Sequence, residues 1–335
     1  MMTQAVEWPD EVDEILCGDL VVGVGTLTPK GGVALASVTT LGIRDREAGS
    51  VGFTTSMGFG RKLERIARDP RVAMAYHTRR HGASQRPGYV LVEGRAAVRT
   101  VARAQLMERA AACLGQVAEG RFWDWWLKTY YDDRMLVSVE VERIVWWPEH
   151  DTSDAIVLGS PLPVGDALSQ MAEGDPWSPR AGLRWADRAS AKGHLLLGMV
   201  QADGWPAILP VRLMDRVGGC LALEATRGRL PSGTRRAGVL AHDFHRSLIG
   251  LWTSTGTGWL DAGAGRGTWS PHTGHFFYAP PIKPLLLLGN GAAARWGYRQ
   301  AVRSGRESSL EGALKLPPAA IRVSGRSAAR EHSED

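Results

Sequence analysis

The sequence predicts a mainly β protein with inserted helices, arranged as two tandem β-barrels. The chain has 335 residues, which suits two domains of ordinary size better than one. Its first half contains several short segments that alternate apolar and polar residues around glycine-containing turns, as strands do. A pattern from the first half returns in the second half, which indicates that one fold occurs twice.

The first barrel is predicted to open with a β-hairpin. Residues 20–27 and 33–39 are strand-like, and the turn between them contains Pro29, Gly31 and Gly32. A hairpin also explains the glycines of the first strand, because no helix follows them as a dinucleotide-binding motif would require.

The remaining elements of the first barrel are four strands and three helices. The strands are predicted over 50–55, 71–77, 88–98 and 134–147, and the helices over 61–67, 101–117 and 122–130. Pro70 stops the first of these helices, because the residue before a proline disfavours helical backbone. Closing six strands removes the sheet edges, so we expect a barrel over residues 11–148.

The second half repeats the first weakly in sequence but clearly in order. Residues 198–211 align without a gap with residues 25–38, and four of the fourteen positions are identical. The elements predicted after them are a strand over 220–226, a helix over 234–242, a strand over 246–253 and a glycine-rich strand from Trp259. This order predicts a second, divergent barrel over residues 181–300.

Two further segments are predicted outside the barrels. Residues 149–180 are rich in Pro, Gly, Ser and Asp, which is typical of a linker. Residues 316–335 contain no aromatic residue and many Ser, Arg, Glu and Ala residues, which predicts a disordered tail.

Composition excludes several classes of protein. No apolar run approaches the roughly 18 residues needed to cross a bilayer, and the N-terminus lacks the pattern of a signal peptide, so we expect a cytoplasmic protein without membrane contact. Three widely spaced cysteines favour buried thiols over disulfides or zinc. No metal site is expected, because the histidine pairs 242/245 and 272/275 lack an evident third ligand.

The charge balance favours anionic ligands. The net charge is +5 and the pI is about 9.3, which steers phosphates and nucleic acids toward the protein. Most of the basic residues are arginines mixed with acids, as on an ordinary solvated surface. Nucleic-acid binding therefore rests on the pI alone and ranks third among the functions considered.

The segment from Thr54 to Lys62 carries the strongest functional signal. Thr54, Thr55 and Ser56 end a predicted strand, and Arg61 and Lys62 begin the next predicted helix. Hydroxyls, free backbone amides and cations at a helix N-terminus are the parts of a phosphate site. A capped helix with two surface cations explains the same residues, and the sequence alone leaves both interpretations open.

Three runs of sequence carry a resemblance to a known family. They are residues 52–56, residues 61–72 with the turn Asp-Pro-Arg-Val at their end, and residues 89–96. Together they resemble the pyridoxamine 5'-phosphate oxidase-like superfamily of flavin and deazaflavin oxidoreductases, in which a strand ending in Thr or Ser precedes a lysine-bearing helix. The resemblance covers residues 19–147 and implies an FMN-binding split β-barrel, hence two such barrels in tandem.

The resemblance implies a cofactor site built from three segments. The isoalloxazine ring would lie along Ser37, Val38 and Thr39. The ribityl chain would lie near Thr54, Thr55 and Ser56, and the phosphate at Arg61 and Lys62. Arg65 departs from the pattern, since many members have Asn there. The second copy has Arg235 and Arg236 but lacks the Asp-Pro-Arg-Val turn, so we expect it to be chiefly a partner barrel. Family barrels pair with the cofactor at their interface, which implies a homodimer or a pseudo-dimer within one chain.

The expected function is that of a flavin-dependent oxidoreductase acting on a small-molecule substrate. FMN is the expected cofactor, the deazaflavin coenzyme is the alternative, and haem ranks below both. A non-catalytic flavin, deazaflavin or haem binding protein is the alternative function. No catalytic acid or base is assigned, because the flavin ring itself accepts hydride. Tyr76, His77 and Tyr89 are candidates to line the pocket, although plain barrel packing explains them as well.

Overall fold

The computed structural model describes residues 5–77, 86–114, 120–148, 154–165, 169–171, 176–181, 194–244, 250–263, 265–305 and 310–324. The helices are α1 Asp10–Gly18, α2 Arg61–Arg68, α3 Arg103–Leu114, α4 Arg121–Trp126, α5 Lys128–Asp132, α6 Lys283–Arg303 and α7 Glu311–Lys315, with a 3-10 turn at Met57–Phe59. The strands of the first half are β1 Val21–Leu27, β2 Val33–Thr39, β3 Arg44–Asp45, β4 Ser50–Ser56, β5 Arg71–His77, β6 Tyr89–Thr100, β7 Arg134–Trp147 and β8 Ile156–Gly159. Those of the second half are β9 His194–Val200, β10 Pro206–Val217, β11 Cys220–Ala225, β12 Gly233–Asp243, β13 Trp252–Gly263, β14 Arg266–Pro271 and β15 His275–Tyr278.

The first barrel is closed and antiparallel, as predicted. Its strands lie in the order β4-β2-β1-β5-β6-β7, and β7 pairs back onto β4. The predicted hairpin is confirmed, because β1 and β2 pair over their full lengths, from Val21 opposite Thr39 to Leu27 opposite Val33. Gly31 in its turn has a φ of 73°, a conformation that glycine adopts without strain.

The second barrel has the same strand order as the first. Its strands lie in the order β11-β10-β9-β12-β13-β14, with β14 pairing back onto β11. The two orders correspond strand by strand. Strand β9 takes the place of β1, β10 of β2, β11 of β4, β12 of β5, β13 of β6 and β14 of β7. The shared closed topology confirms a mainly β fold of two tandem barrels with inserted helices, and it fits the tandem split barrels that the resemblance implies.

The helix predicted over 234–242 is wrong, because these residues form β12. This strand pairs with β9 on one side and β13 on the other, so its backbone groups bond to neighbouring strands. A helix was predicted here because a helix follows the corresponding strand and loop in the first half. In the second half a loop over 226–232 stands where α2 lies in the first, so the second barrel lacks the helix that carries Arg61 and Lys62.

Gly238, at the middle of β12, marks a close approach of the two barrels. A Cβ built on Gly238 would collide with the carbonyl oxygen of Val33 in β2. We expect Gly238→Ala to lower the free energy of unfolding by about 2–4 kcal/mol, because backbone cannot move aside as a flexible side chain can. Gly263→Ala in the same barrel should stay within about 0.5 kcal/mol, since no described atom lies within 4 Å of its Cβ position. Urea unfolding curves of both variants test this, and equal midpoints would contradict it.

The two barrels pack face to face around a shared apolar core. Leu35, Tyr89 and Trp147 of the first barrel belong to one buried cluster with Leu196 and Ile208 of the second. Several hydrogen bonds also cross the interface. The Tyr89 hydroxyl donates to the Ile208 carbonyl at 2.7 Å, and the Thr255 hydroxyl donates to the Leu35 carbonyl at 2.7 Å.

The C-terminal part of the chain returns to the first barrel. Helix α6 falls within the range expected for the second barrel, 181–300, but it packs on the 3-10 turn of the first. Part of the expected tail is also ordered there. The backbone amide of Arg44 in β3 donates to the Arg322 carbonyl at 3.3 Å, and the amide of Ala319 donates to the Thr100 carbonyl at 2.8 Å.

The linker range 149–180 also contains regular structure. Strand β8 lies within it and extends the first sheet by pairing with β7. Among the described helices, none combines the length and the apolar character that a bilayer crossing requires.

Candidate functional site

The predicted cofactor-binding residues lie at one end of the first barrel. Strands β2 and β4 are neighbours there, with Thr39 opposite Thr54. Ser37 and Thr39 are half-buried, whereas Val38 and the three hydroxyl residues at the end of β4 are buried. Ser56 caps the 3-10 turn, because its hydroxyl accepts a hydrogen bond from the Gly58 amide at 3.1 Å. The turn then leads directly into α2, where Arg61 is exposed and Lys62 is half-buried.

Arg134, which the sequence analysis did not single out, joins these residues. It begins β7 and lies opposite Ser56 in the pairing of β4 with β7. Its Nε donates to the Thr54 hydroxyl at 3.3 Å, and its guanidinium lies 4.6 Å from the centre of the Tyr130 ring. The only sequence signal was its place at the start of a predicted strand, and the strand register was needed to bring it to Ser56.

Four cations therefore surround the end of β4. We call Arg61, Lys62, Arg65 and Arg134 the cationic cluster. Glu64, on the same helix as Arg65, offsets part of the positive charge of Arg65. The cluster keeps a net positive charge, and such a charge beside aligned hydroxyls attracts an anion.

The pKa of Lys62 reflects this crowding. Burial, followed by the positive charges of Arg134 and Arg65, lowers the pKa of Lys62 to about 8. The Lys62 ammonium donates to the Phe59 carbonyl at 3.4 Å. The pKa of Arg65 is lowered as well, by burial first and then by Arg61 and Arg68. Binding a phosphate would relieve this repulsion, so the cluster favours an anion on electrostatic grounds.

Helix α6 forms a wall beside the cluster. Gly58 of the 3-10 turn lies against Gly297 and Ala294 of α6, where a Cβ on either glycine would meet backbone. The Trp126 indole donates to the Leu288 carbonyl at 3.2 Å, and Arg295 lies over the Trp126 ring at 4.4 Å. This wall was not predicted, because residues 283–300 were expected to belong to the second barrel.

The second barrel also packs against β2. Strands β12 and β13 contact β2, and the Thr255 hydroxyl anchors β13 to the Leu35 carbonyl. Beyond β13, the edge strand β15 exposes Phe276, Phe277 and Tyr278. Strand β2 thus belongs both to the predicted site and to the junction between the barrels.

The three candidate pocket residues occupy core positions instead. Tyr76 is buried, and burial raises its pKa strongly. Tyr89 bonds to the second barrel, and His77 lies with its ring centre 5.4 Å from that of His242. These contacts fit the packing alternative. Within the described part of the chain, no group of three His, Cys, Asp or Glu residues is arranged to hold a metal ion.

Comparison with known proteins gives structural matches alone. No family model matches the chain, and no curated protein matches it. One matching structure is a protein related to general stress protein 26, of the pyridoxinephosphate oxidase family, from Clostridium acetobutylicum. It has 13% identity and a TM-score of 0.31, covering 44% of this chain and 90% of that chain. An F420 reductase matches with 16% identity and a TM-score of 0.31, covering 41% of this chain and 98% of that chain.

A third match is a pyridoxamine 5'-phosphate oxidase-related, FMN binding protein from Nostoc punctiforme. It has 9% identity and a TM-score of 0.26, covering 38% of this chain and 74% of that chain. Each of these three structures therefore corresponds to less than half of this chain.

Proposed function

We propose that the chain binds a flavin-type cofactor, FMN in the first place, and uses it to oxidise or reduce a small molecule. One observation carries the proposal. Four cations with a net positive charge lie together with the Thr54 and Ser56 hydroxyls at the end of one barrel. A flavin phosphate supplies the compact double negative charge that such a set of donors matches.

Different segments of the first barrel would hold different parts of the cofactor. Arg61, Lys62 and Arg134 would bind the phosphate, with the Thr55 and Ser56 hydroxyls beside the ribityl chain. Ser37 to Thr39 of β2 would lie along the ring. When bound, the flavin ring supplies hydride chemistry itself, so the chain needs to position and shield it. The second barrel and α6 would exclude water from that end.

A comparison of three ligands tests the proposal. FMN should bind with a Kd of about 10 μM or less, and riboflavin at least about tenfold more weakly, because riboflavin lacks the phosphate. Quenching of flavin fluorescence measures both, and the deazaflavin coenzyme F420 is titrated in parallel. If F420 binds more tightly than FMN, the proposed site stands but its cofactor is the deazaflavin coenzyme. Absence of binding by all three would overturn the proposal. If flavin binds but no reductant or substrate changes its redox state, the protein is a flavin carrier and not an enzyme.

A further inference from the structure

A cavity lies between the two barrels, separate from the cationic cluster. Its volume is about 260 Å³, and none of the four cations lines it. The first barrel contributes Leu91, Val145 and Trp147 to its wall, and the second contributes Met199 and Leu209. The wall is therefore mostly apolar, as in sites that bind small organic molecules.

The duplication explains why this cavity exists. Strand β10 and the loop after β11 line it, and these are the counterparts of β2 and of the segment after β4 in the first barrel. That segment carries α2 in the first barrel, whereas the second barrel has a loop containing Gly228, Arg229 and Pro231. Residues Leu162 and Pro163, which follow β8, complete the wall. The second copy thus has a mostly apolar cavity, open at one side, where the first has a cation-bearing helix.

The polar groups of the wall are hydrogen-bond donors or amides, with no carboxylate among the lining residues. Trp147 is only 4% exposed and its Nε1 is fully buried, so the indole does not present its N–H to the cavity. Arg229 is exposed at the rim, and Gln201 is held in place by donating to Glu93.

The size of the cavity limits the ligand. A cavity of about 150 Å³ holds benzene, and drug-sized ligands occupy about 300–1,000 Å³. A space of about 260 Å³ therefore suits a molecule with one or two rings, and it is small for a whole flavin nucleotide.

We propose that this cavity binds a compact, largely apolar carboxylate, with its ring or branched chain against Leu91, Val145 and Leu209 and its carboxylate toward Arg229. The site is distinct from the proposed flavin site and does not depend on it. A carboxylate supplies the negative charge that the Arg229 guanidinium attracts, and no carboxylate of the lining residues competes for it.

Calorimetric titration with naphthalene-2-acetate and its neutral amide tests this site. The carboxylate should bind with a Kd below about 0.5 mM, and the amide about tenfold more weakly. Arg229→Gln should weaken the carboxylate about tenfold and leave the amide unchanged. The matched control Arg180→Gln removes an exposed arginine that precedes the second barrel, contacts β14 through its backbone amide and does not line the cavity, and it should change neither.

Two further variants make the outcome decisive. Ala202 is exposed at the rim, so Ala202→Trp should block both probes without altering the core. Lys62→Met should leave both affinities unchanged, because Lys62 belongs to the other site. Failure of both probes to bind wild type at about 5 mM would overturn the proposal. Equal effects of the Arg229 and Arg180 substitutions, or full binding by Ala202→Trp, would also overturn it.

Discussion

Replacing Lys62 and Arg134 together with methionine should weaken FMN binding about a hundredfold or more while leaving riboflavin binding almost unchanged. Each cation would lose a charge-assisted hydrogen bond to the phosphate, worth about 1.5–3 kcal/mol, and about 1.4 kcal/mol corresponds to a factor of ten. Methionine keeps an unbranched apolar stem at both positions, so the packing against Phe59 and Tyr130 is largely retained. Fluorescence titration of both ligands measures the loss.

The control for this double variant removes the same two positive charges elsewhere. Lys30 and Arg216 are both exposed, in the turn of the first hairpin and in β10 of the second barrel. Lys30→Met with Arg216→Met should change FMN affinity less than about threefold at physiological salt, because screening weakens distant charges. If both double variants lose affinity equally, a general charge effect and not the cationic cluster holds the phosphate.

The pKa of Lys62 adds a pH dependence to the same experiment. In the unliganded protein the pKa of Lys62 is about 8, so its ammonium loses its proton as the pH rises through that value. FMN binding then requires uptake of a proton, and wild-type affinity should fall between pH 7 and pH 9. Lys62→Met should show a flatter profile over the same interval.

Removing the Glu93 carboxylate should give the largest loss of stability among the variants considered. Glu93 is 1% exposed and pairs with Arg143, which is 4% exposed. Arg143 also contacts Asp203 of the second barrel at 3.0 Å and donates to the Pro161 carbonyl at 2.6 Å. We expect Glu93→Ala to lower the free energy of unfolding by about 3–5 kcal/mol, because it leaves a buried guanidinium with half of its compensating charge.

The pH dependence of stability offers an independent check of this network. Burial raises the pKa of Glu93 to about 7, with Asp203 adding to the rise and Arg143 and Gln201 opposing it. The folded state therefore holds a proton that the unfolded state releases near its ordinary pKa of about 4.3. Stability should be lost as the pH rises from about 5 through 7, and Glu93→Gln should remove that slope. Urea unfolding at several pH values measures it, and an unchanged slope in Glu93→Gln would contradict the assignment.

Local patterns predicted the first barrel well. The hairpin, β4, α2 and β5 follow from alternation and turn residues within about 60 consecutive positions, where periodicity decides the element. The helix predicted over 234–242 failed because it was inferred from the order of elements and not from the residues. Gly238 lies in the middle of that segment, and an isolated glycine there is typical of a strand approached closely by another backbone.

Contacts between distant segments explain what the sequence could not predict. Arg134 lies at the predicted phosphate site only because of the register of β7 against β4. Helix α6 lies on the first barrel because Gly297 and Ala294 allow close contact with Gly58, a match between two surfaces far apart in the chain. The cavity beside Trp147 depends on the packing of both barrels, so no single segment could indicate it.

The number of flavins bound per chain tests the central claim most directly. The two barrels share one topology, but the first alone carries α2 and the cationic cluster in the part of the chain that the structure describes. Titration of the protein with FMN, followed by equilibrium dialysis, should therefore saturate at one FMN per chain, and the Lys62→Met, Arg134→Met variant should leave that site largely empty at FMN concentrations that just saturate the wild type. Saturation at two FMN per chain, or unchanged affinity in the double variant, would contradict the account.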